Sequence, residues 1–248
     1  MTGESLAAKR AAIRPLLDQD KPADALAAYY AFYHPENRTA LTVYPPGARR
    51  AKGYLTSSRT GIDLFRPLVT LRFPTGSLDE APELLYQALA PGSSVFIHAP
   101  AGYRNVLGAF FDVHTQQDLY LFHLDQRRFE PEVNVLVTRA STPDGLPRFT
   151  LRPRGAGHEG EIGASASVNW LSPHFADIAV YTNPQYRQRG WGRNVVVALV
   201  QHLLQSGRTP LYEVEQQNEA SQQLARSVGF VNTGADKVLL EATLRPRC

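Results

Sequence analysis

Tyr186-Arg-Gln-Arg-Gly-Trp-Gly-Arg-Asn-Val195 decides how this chain reads. Gly190 and Gly192 lack a Cβ, so the backbone there can turn tightly and approach a ligand closely. The N–H groups of Arg189 to Arg193 would be unpaired donors at the start of a helix, where the helix dipole also favours an anion. Arg187, Arg189 and Arg193 add positive charge, and Gln188 and Trp191 complete the loop. A pyrophosphate suits such a cradle.

The flanks agree. Ala176-Asp-Ile-Ala-Val-Tyr-Thr182 precedes the loop as a strand. Val195, Val196, Leu199, Val200, Leu203 and Leu204 then follow the three-and-four spacing of a buried helix face, with Gly207 as its stop. Residues 209–215 read as a strand, 218–228 as a helix ending at Gly229-Phe230, and 230–233 and 238–244 as two more strands. A dinucleotide fingerprint is excluded because Val195 stands where its third glycine belongs and the loop begins several residues after the strand. A P-loop is excluded because neither Gly190 nor Gly192 precedes a lysine. A strand-to-helix turn with no ligand is the plainer alternative, and the density of arginine argues against it.

The order strand, Arg-x-x-Gly-x-Gly loop, helix, strand, Asn-x-x-Ser-x-x-Leu helix and Gly-Phe resembles the acetyl-CoA-binding half of the GCN5-related N-acetyltransferase (GNAT) superfamily. Arg187, Gly190, Gly192, Asn218, Ser221, Leu224, Gly229 and Phe230 carry the match, which covers about residues 160–245. The resemblance implies an α/β (α+β) fold with a mixed, mostly antiparallel twisted sheet. It also implies acetyl-CoA, or another acyl-CoA, as co-substrate, held by Arg187 to Arg193, Asn218, and the backbone of Val180 and Thr182. Tandem members pair a degenerate N-terminal half with an acyl-CoA-binding one, and this chain resembles them: residues 1–128 as the degenerate domain, 129–248 as the binding domain, joined at Phe129-Glu-Pro-Glu132.

In the first half a helix is expected over 23–33, after Pro22, with Tyr29, Tyr30, Phe32 and Tyr33 as core packing or, alternatively, a pocket lining. Strands are expected at 40–44, 61–65, 68–73, 94–98 and 118–124. A capping box at Ser77-Leu-Asp-Glu80 should open a helix ending near Leu89, and a short helix should span 103–110. The second half should open with strands at 133–138, 148–151, 161–168 and 177–182. It lacks the helix pair that usually follows the first strand, so the first half would have to close that side of the acceptor pocket. The glycine-rich 154–160 link reads as a hairpin.

Composition narrows the function classes. The 248 residues are 43% hydrophobic, enough for a core without staples. Cys248 is the single cysteine, so no internal disulfide can form. The net charge of +3 and 22 arginines against 4 lysines, with no dense basic run outside the loop and Arg49-Arg50, do not call for nucleic acid. No segment has the length of a membrane span, and the N-terminus lacks a signal-peptide pattern, so a cytoplasmic protein without a membrane partner is expected. His98, His114, His123, His158, His174 and His202 show no metal-ligand spacing, and no metal is expected.

Acyl transfer needs a proton acceptor for the attacking amine and N–H donors for the oxyanion. The resemblance puts the oxyanion donor on the strand before the loop. Two carboxylates are candidate bases. Asp177 is one residue out of register with the usual glutamate, which reverses its face unless a bulge intervenes. Glu213 stands where some relatives carry a histidine, with Glu215 behind it. For each, a purely structural role stays open. Many relatives have a Leu-Tyr pair in the second helix whose tyrosine protonates the leaving thiolate; here the pair is Leu224-Ala225. Tyr181, Tyr212 or water must then serve, or the thiolate leaves unaided. The expected activity is N-acyl transfer to a primary amine, small molecule or peptide, with a faint lean toward small or acidic acceptors. The alternative is a non-catalytic acyl-CoA-binding or regulatory module. A homodimer is compatible with the resemblance.

Overall fold

The computed structural model describes residues 4–61, 63–74, 80–132, 136–153 and 160–247. Ser77 of the expected capping box, the start of the strand expected at 133, nearly all of the 154–160 link with His158, and Cys248 lie outside these.

In chain order the elements begin with α1 (Leu6–Ile13), capped by Ser5, whose hydroxyl oxygen accepts the Ala8 N–H. A helical stretch follows as a 3-10 turn Pro22–Asp24, α2 (Ala25–Ala28) and a π turn Tyr29–Tyr33. Then come β1 (Thr39–Tyr44), β2 (Gly53–Ser58), β3 (Leu68–Arg72), α3 (Ala81–Ala88), β4 (Ser94–Pro100), α4 (Arg104–Phe110) and β5 (Phe111–Leu124). The rest is β6 (Val137–Ser141), β7 (Pro147–Leu151), β8 (Ala164–Leu171), β9 (Phe175–Thr182), α5 (Trp191–Gln205), β10 (Thr209–Glu215), α6 (Glu219–Val228), β11 (Phe230–Asn232) and β12 (Lys237–Leu244).

These form two units, Met1–Leu119 with Ala235–Cys248, and Tyr120–Gly234. The expected boundary at 128/129 is therefore displaced into β5, and the tail does not stay with the second half. β12 pairs antiparallel with β4 over Lys237↔Pro100 to Thr243↔Ser94, and its other edge takes β5, Leu119↔Lys237 to Phe111↔Leu244. Both pairings lie within the first unit.

The first unit orders its strands β1-β2-β3-β4-β12-β5. All its ladders are antiparallel except β3/β4, which is parallel over Leu68↔Phe96 to Thr70↔His98. α3 packs against β1 and β2, and its Leu84 and Leu85 are buried in one core cluster with Leu55, Val69, Leu71, Val95 and Ile97. Tyr30 and Ala31 of the π turn are buried, and the rings of Tyr29, Tyr30 and His34 pack together; Phe32 is half-buried and Tyr33 exposed, so only part of the expected aromatic group is core. The described residues of the strand expected at 61–65, Gly61 and Asp63 to Phe65, are not in a strand, while β2 lies eight residues earlier in the chain. The reason is physical. β2 is buried on both faces, with Thr56 satisfied by Thr70 at 2.7 Å, so it has no period-two signature. The alternating 61–65 stretch instead puts Leu64 and Phe65 in solvent, 84% and 90% exposed.

In the second unit β6, β7, β8 and β9 pair antiparallel in succession, β9 takes β10 in parallel, and β11 lies on the end of β5. α5 packs across β7, β8 and β9 through Val195, Val196, Leu199, Val200 and Leu203, all buried at 1% exposure or less. Leu204, expected on that face, is half-buried at its margin. The fold is mixed α/β with a mostly antiparallel sheet and two halves of like plan.

Candidate functional site

β9 and β10 hold only three rungs, Phe175↔Thr209 to Asp177↔Leu211, after which β9 runs on to Thr182 and β10 to Glu215. The strands therefore part in their C-terminal halves, leaving the β10-facing edge of β9 free of β10 from Ile178 onward. Val180 and Thr182 stand on that free stretch, held from the other side by Ala166 and Ala164 of β8.

The loop that leaves β9 starts with the 3-10 turn Pro184–Tyr186 and then places two residues in the left-handed region, Gln188 at φ 61° and Gly190 at φ 75°. This is a costly conformation for glutamine. Among the described residues, the backbone N–H groups from Gln188 through Arg193 make no hydrogen bond of good geometry, and the first helical bond runs from Asn194 N–H to the Gly190 carbonyl at 3.0 Å. The two glycines serve different needs. Gly190 is required by its φ, with open space around it; Gly192 is required by contact, since a Cβ there would sit 2.8 Å from Thr182 Oγ1. That contact fixes the start of α5 against the end of β9.

Four side chains hold the loop. The Tyr186 and Trp191 rings stack at 4.6 Å with planes 3° apart. Asn183 Nδ2 donates to Glu161 Oε1 at 3.0 Å and Tyr186 OH to Glu161 Oε2 at 3.2 Å. Gly163 lies beneath the stack, where a Cβ would come within 2.1 Å of the indole. Trp191 is therefore packed as a loop brace. Glu161 and Gly163 carry no local signal of this in sequence, because their partners lie more than twenty residues away.

The arginines divide. Arg187 and Arg189 are exposed without a carboxylate partner among the described residues, and Arg189 lies over the Tyr186 ring at 5.5 Å. Arg193 is diverted: Nη1 meets Glu132 Oε2 at 2.5 Å and Nε reaches the Ser227 carbonyl at 3.4 Å. Asn218 caps α6, its Oδ1 accepting the Ser221 N–H at 3.0 Å.

Asp177 is buried, with Oδ2 accepting from Asn169 Nδ2 at 2.8 Å and Oδ1 buried without a hydrogen bond. Burial, then the neighbouring Glu213 charge, pushes its carboxyl well above the ordinary range. A bulge exists, but on β8 at Asn169 and not on β9, so β9 keeps its alternation and Asp177 keeps its buried face. Glu213 is half-buried and Glu215 exposed. Tyr181 is 53% exposed and shares the alternate face of β9 with Asp177, about 13 Å along the strand. Tyr212 OH lies 2.7 Å from Ser221 Oγ, and burial raises its phenol. Ala225 is fully buried in the core. Among the described residues no group of three or more His, Cys, Asp or Glu side chains could hold a metal, and no helix is long and apolar enough to cross a membrane.

Residues 155–239, which include the parting strands, the loop and both helices, match the family model of the GNAT acetyltransferases. That stretch is similar to a GNAT acetyltransferase domain. No curated protein matches the sequence. Among solved structures, a GCN5-related N-acetyltransferase from Sphaerobacter thermophilus is 13% identical, with a TM-score of 0.60 over 99% of this chain and 96% of that one. A GCN5-related N-acetyltransferase from Kribbella flavida is 15% identical, TM-score 0.59, over 88% and 93%. A tandem GNAT protein from the clavulanic acid biosynthesis pathway is 12% identical, TM-score 0.57, over 98% and 95%. At such identities the likeness is one of fold, and it extends to the two-half plan of the GNAT chain.

Proposed function

We propose that this chain is an acyl-CoA-dependent N-acyltransferase that moves an acetyl or other acyl group to a primary amine. The observation that carries the reading is the run of N–H groups from Gln188 to Arg193, without a well-formed hydrogen bond among the described residues, at the start of a fifteen-residue helix and the end of a strand that has parted from its neighbour. A pyrophosphate would be held by those donors and the helix dipole, with Arg187 and Arg189 adding charge. Arg193 is already neutralised by Glu132 and contributes less.

The amine nitrogen attacks the thioester carbon, the C–S bond breaks, the amine proton passes to a carboxylate, and the thiolate takes a proton. Free backbone N–H groups of β9 around Val180 to Thr182 suit the oxyanion. Glu213 is the better base. Asp177 is buried beside Glu213, whose charge helps raise its carboxyl, and is placed to act through Glu213 rather than on substrate. Tyr181 is the accessible phenol for the departing sulfur, whereas Tyr212 is buried and bound to Ser221. The acceptor is a small-molecule or peptide amine.

One observation favours a second reading, a non-catalytic acyl-CoA-binding module: Ala225, fully buried, stands where a proton-donating tyrosine would be expected. Multiple-turnover release of CoA thiol with acetyl-CoA and a panel of amino acids, polyamines and peptides separates the two. Amine-dependent thiol release supports transfer; tight binding with no release by any amine supports the module.

A further inference from the structure

The first unit contains a cavity of about 430 Å³ unrelated to the loop of α5, beside the last rung of the β1/β2 ladder. That ladder ends at Thr39↔Ser58, and one step further the Arg59 N–H donates to the Arg38 carbonyl at 2.9 Å. Arg38 and Arg59 therefore stand directly opposite each other, and both line the cavity. Opposed like charges at this spacing repel, so an anion bound between them would be favoured. The nearby carboxylates do not supply it. Glu36 is paired with Arg10 at 2.8 Å. Asp63 is consumed within its own loop: Oδ1 accepts the N–H groups of Phe65 and Arg66, and Oδ2 accepts Nε and Nη2 of Arg66. Those bonds hold its carboxyl down to about 2. Arg66 is itself committed to Asp63 and Glu241 and lies over the Phe96 ring. The only other contact of the two opposed guanidinium groups among the described residues is Arg59 Nη2 to the Asn37 carbonyl, 3.0 Å.

The same cavity is walled by Leu64 and Phe65, the most exposed large apolar side chains among the described residues. Asp63 and Arg66 anchor the loop on either side of them, so they are presented to solvent by a braced turn. An uncompensated cation pair next to an apolar ledge matches one ligand chemistry.

We propose that this cavity binds an organic anion, carboxylate or phosphate, borne on an apolar body, with Arg38 and Arg59 clasping the anion and Leu64 and Phe65 covering the body. Planar guanidinium forks suit bidentate contact with either anion. The anion can come from a free small molecule or from a lipid surface, and the test separates these sources.

Calorimetric titration of the full chain would use octyl phosphate and octanoate below their micelle concentrations, with inorganic phosphate alone. Co-sedimentation would use vesicles of phosphatidylglycerol against phosphatidylcholine. The expected result is saturable binding of an octyl anion, or of phosphatidylglycerol vesicles but not phosphatidylcholine. Arg38→Gln with Arg59→Gln should weaken it by about tenfold or more, and Leu64→Ser with Phe65→Ser should weaken the octyl anion while leaving inorganic phosphate unchanged. All four side chains are exposed, so both double variants should keep the wild-type unfolding temperature, and that temperature is measured alongside. Absence of binding to every probe, or binding that neither double variant alters, would overturn the proposal.

Discussion

The two halves each contain one parallel strand pair bridged by a helix, β3–α3–β4 in the first unit and β9–α5–β10 in the second, and in each the pair holds three rungs. The plan is shared and the chemistry at the helix start is opposite. α3 is eight residues long, opens after Glu80 in right-handed helical conformation, carries Glu83 in its first turn and has a proline that removes a donor. α5 is fifteen residues long, opens after left-handed Gly190 and has arginines around N–H groups without a well-formed hydrogen bond among the described residues. An anion at α3 would meet two carboxylates; at α5 it meets donors and cations. Repetition of the crossover thus preserves topology without preserving the charge character of the helix start, because that character belongs to a few loop residues that the core does not constrain.

The comparison breaks most sharply if the second crossover can lose its loop without losing its ligand. Gly190→Asp with Gly192→Asp places two carboxylates and a clash with Thr182 at the helix start, and should weaken acetyl-CoA binding by at least about 100-fold. Calorimetry should show no heat from acetyl-CoA while the first unit keeps its circular dichroism; retained affinity would move the site elsewhere. Next in size is Glu213→Gln, which should lower kcat by about 100-fold with little change in KM for acyl-CoA. An unchanged kcat would remove Glu213 from the chemistry.

The loop also predicts a difference among its arginines. Arg189→Ala, and likewise Arg187→Ala, should each reduce acetyl-CoA affinity by about three- to tenfold with weaker dependence on salt. Arg193→Ala should cost less, since its guanidinium is held by Glu132 and the Ser227 carbonyl. Equal losses at all three would mean that Arg193 leaves its partners to meet the ligand.

The smallest effect concerns stability. Asp177 has a folded pKa above its unfolded one, so the folded state binds the extra proton. Its contribution is therefore complete below the ordinary carboxylate range and declines as pH rises through the raised pKa. Urea unfolding at about pH 5 and about pH 8 should show a decline for the wild type that Asp177→Asn flattens. An equal slope in both would place the burial cost on another group.

What the sequence made legible follows from range. The α5 loop could be read because its glycines, arginines and following apolar stripe are contiguous, and each reports a local requirement. The diversion of Arg193 could not, since Glu132 lies far back in the chain. The return of β12 to the first unit was equally hidden: its pattern says strand and says nothing of which edge it joins. β2 escaped because a strand buried on both faces has no alternation, and 61–65 misled because its alternation belongs to a braced turn. Asp177 was half legible. Its mismatch with the usual position was visible, but the bulge that bears on it sits on β8, where only the paired structure places Asn169.

The most direct test of the second crossover as an acyl-CoA site is thermal unfolding of the full chain with acetyl-CoA, longer acyl-CoAs, ATP and NAD in parallel, because a ligand that binds only the folded state raises its stability. A rise in unfolding temperature confined to the CoA compounds is predicted; no rise with any of them would contradict the account.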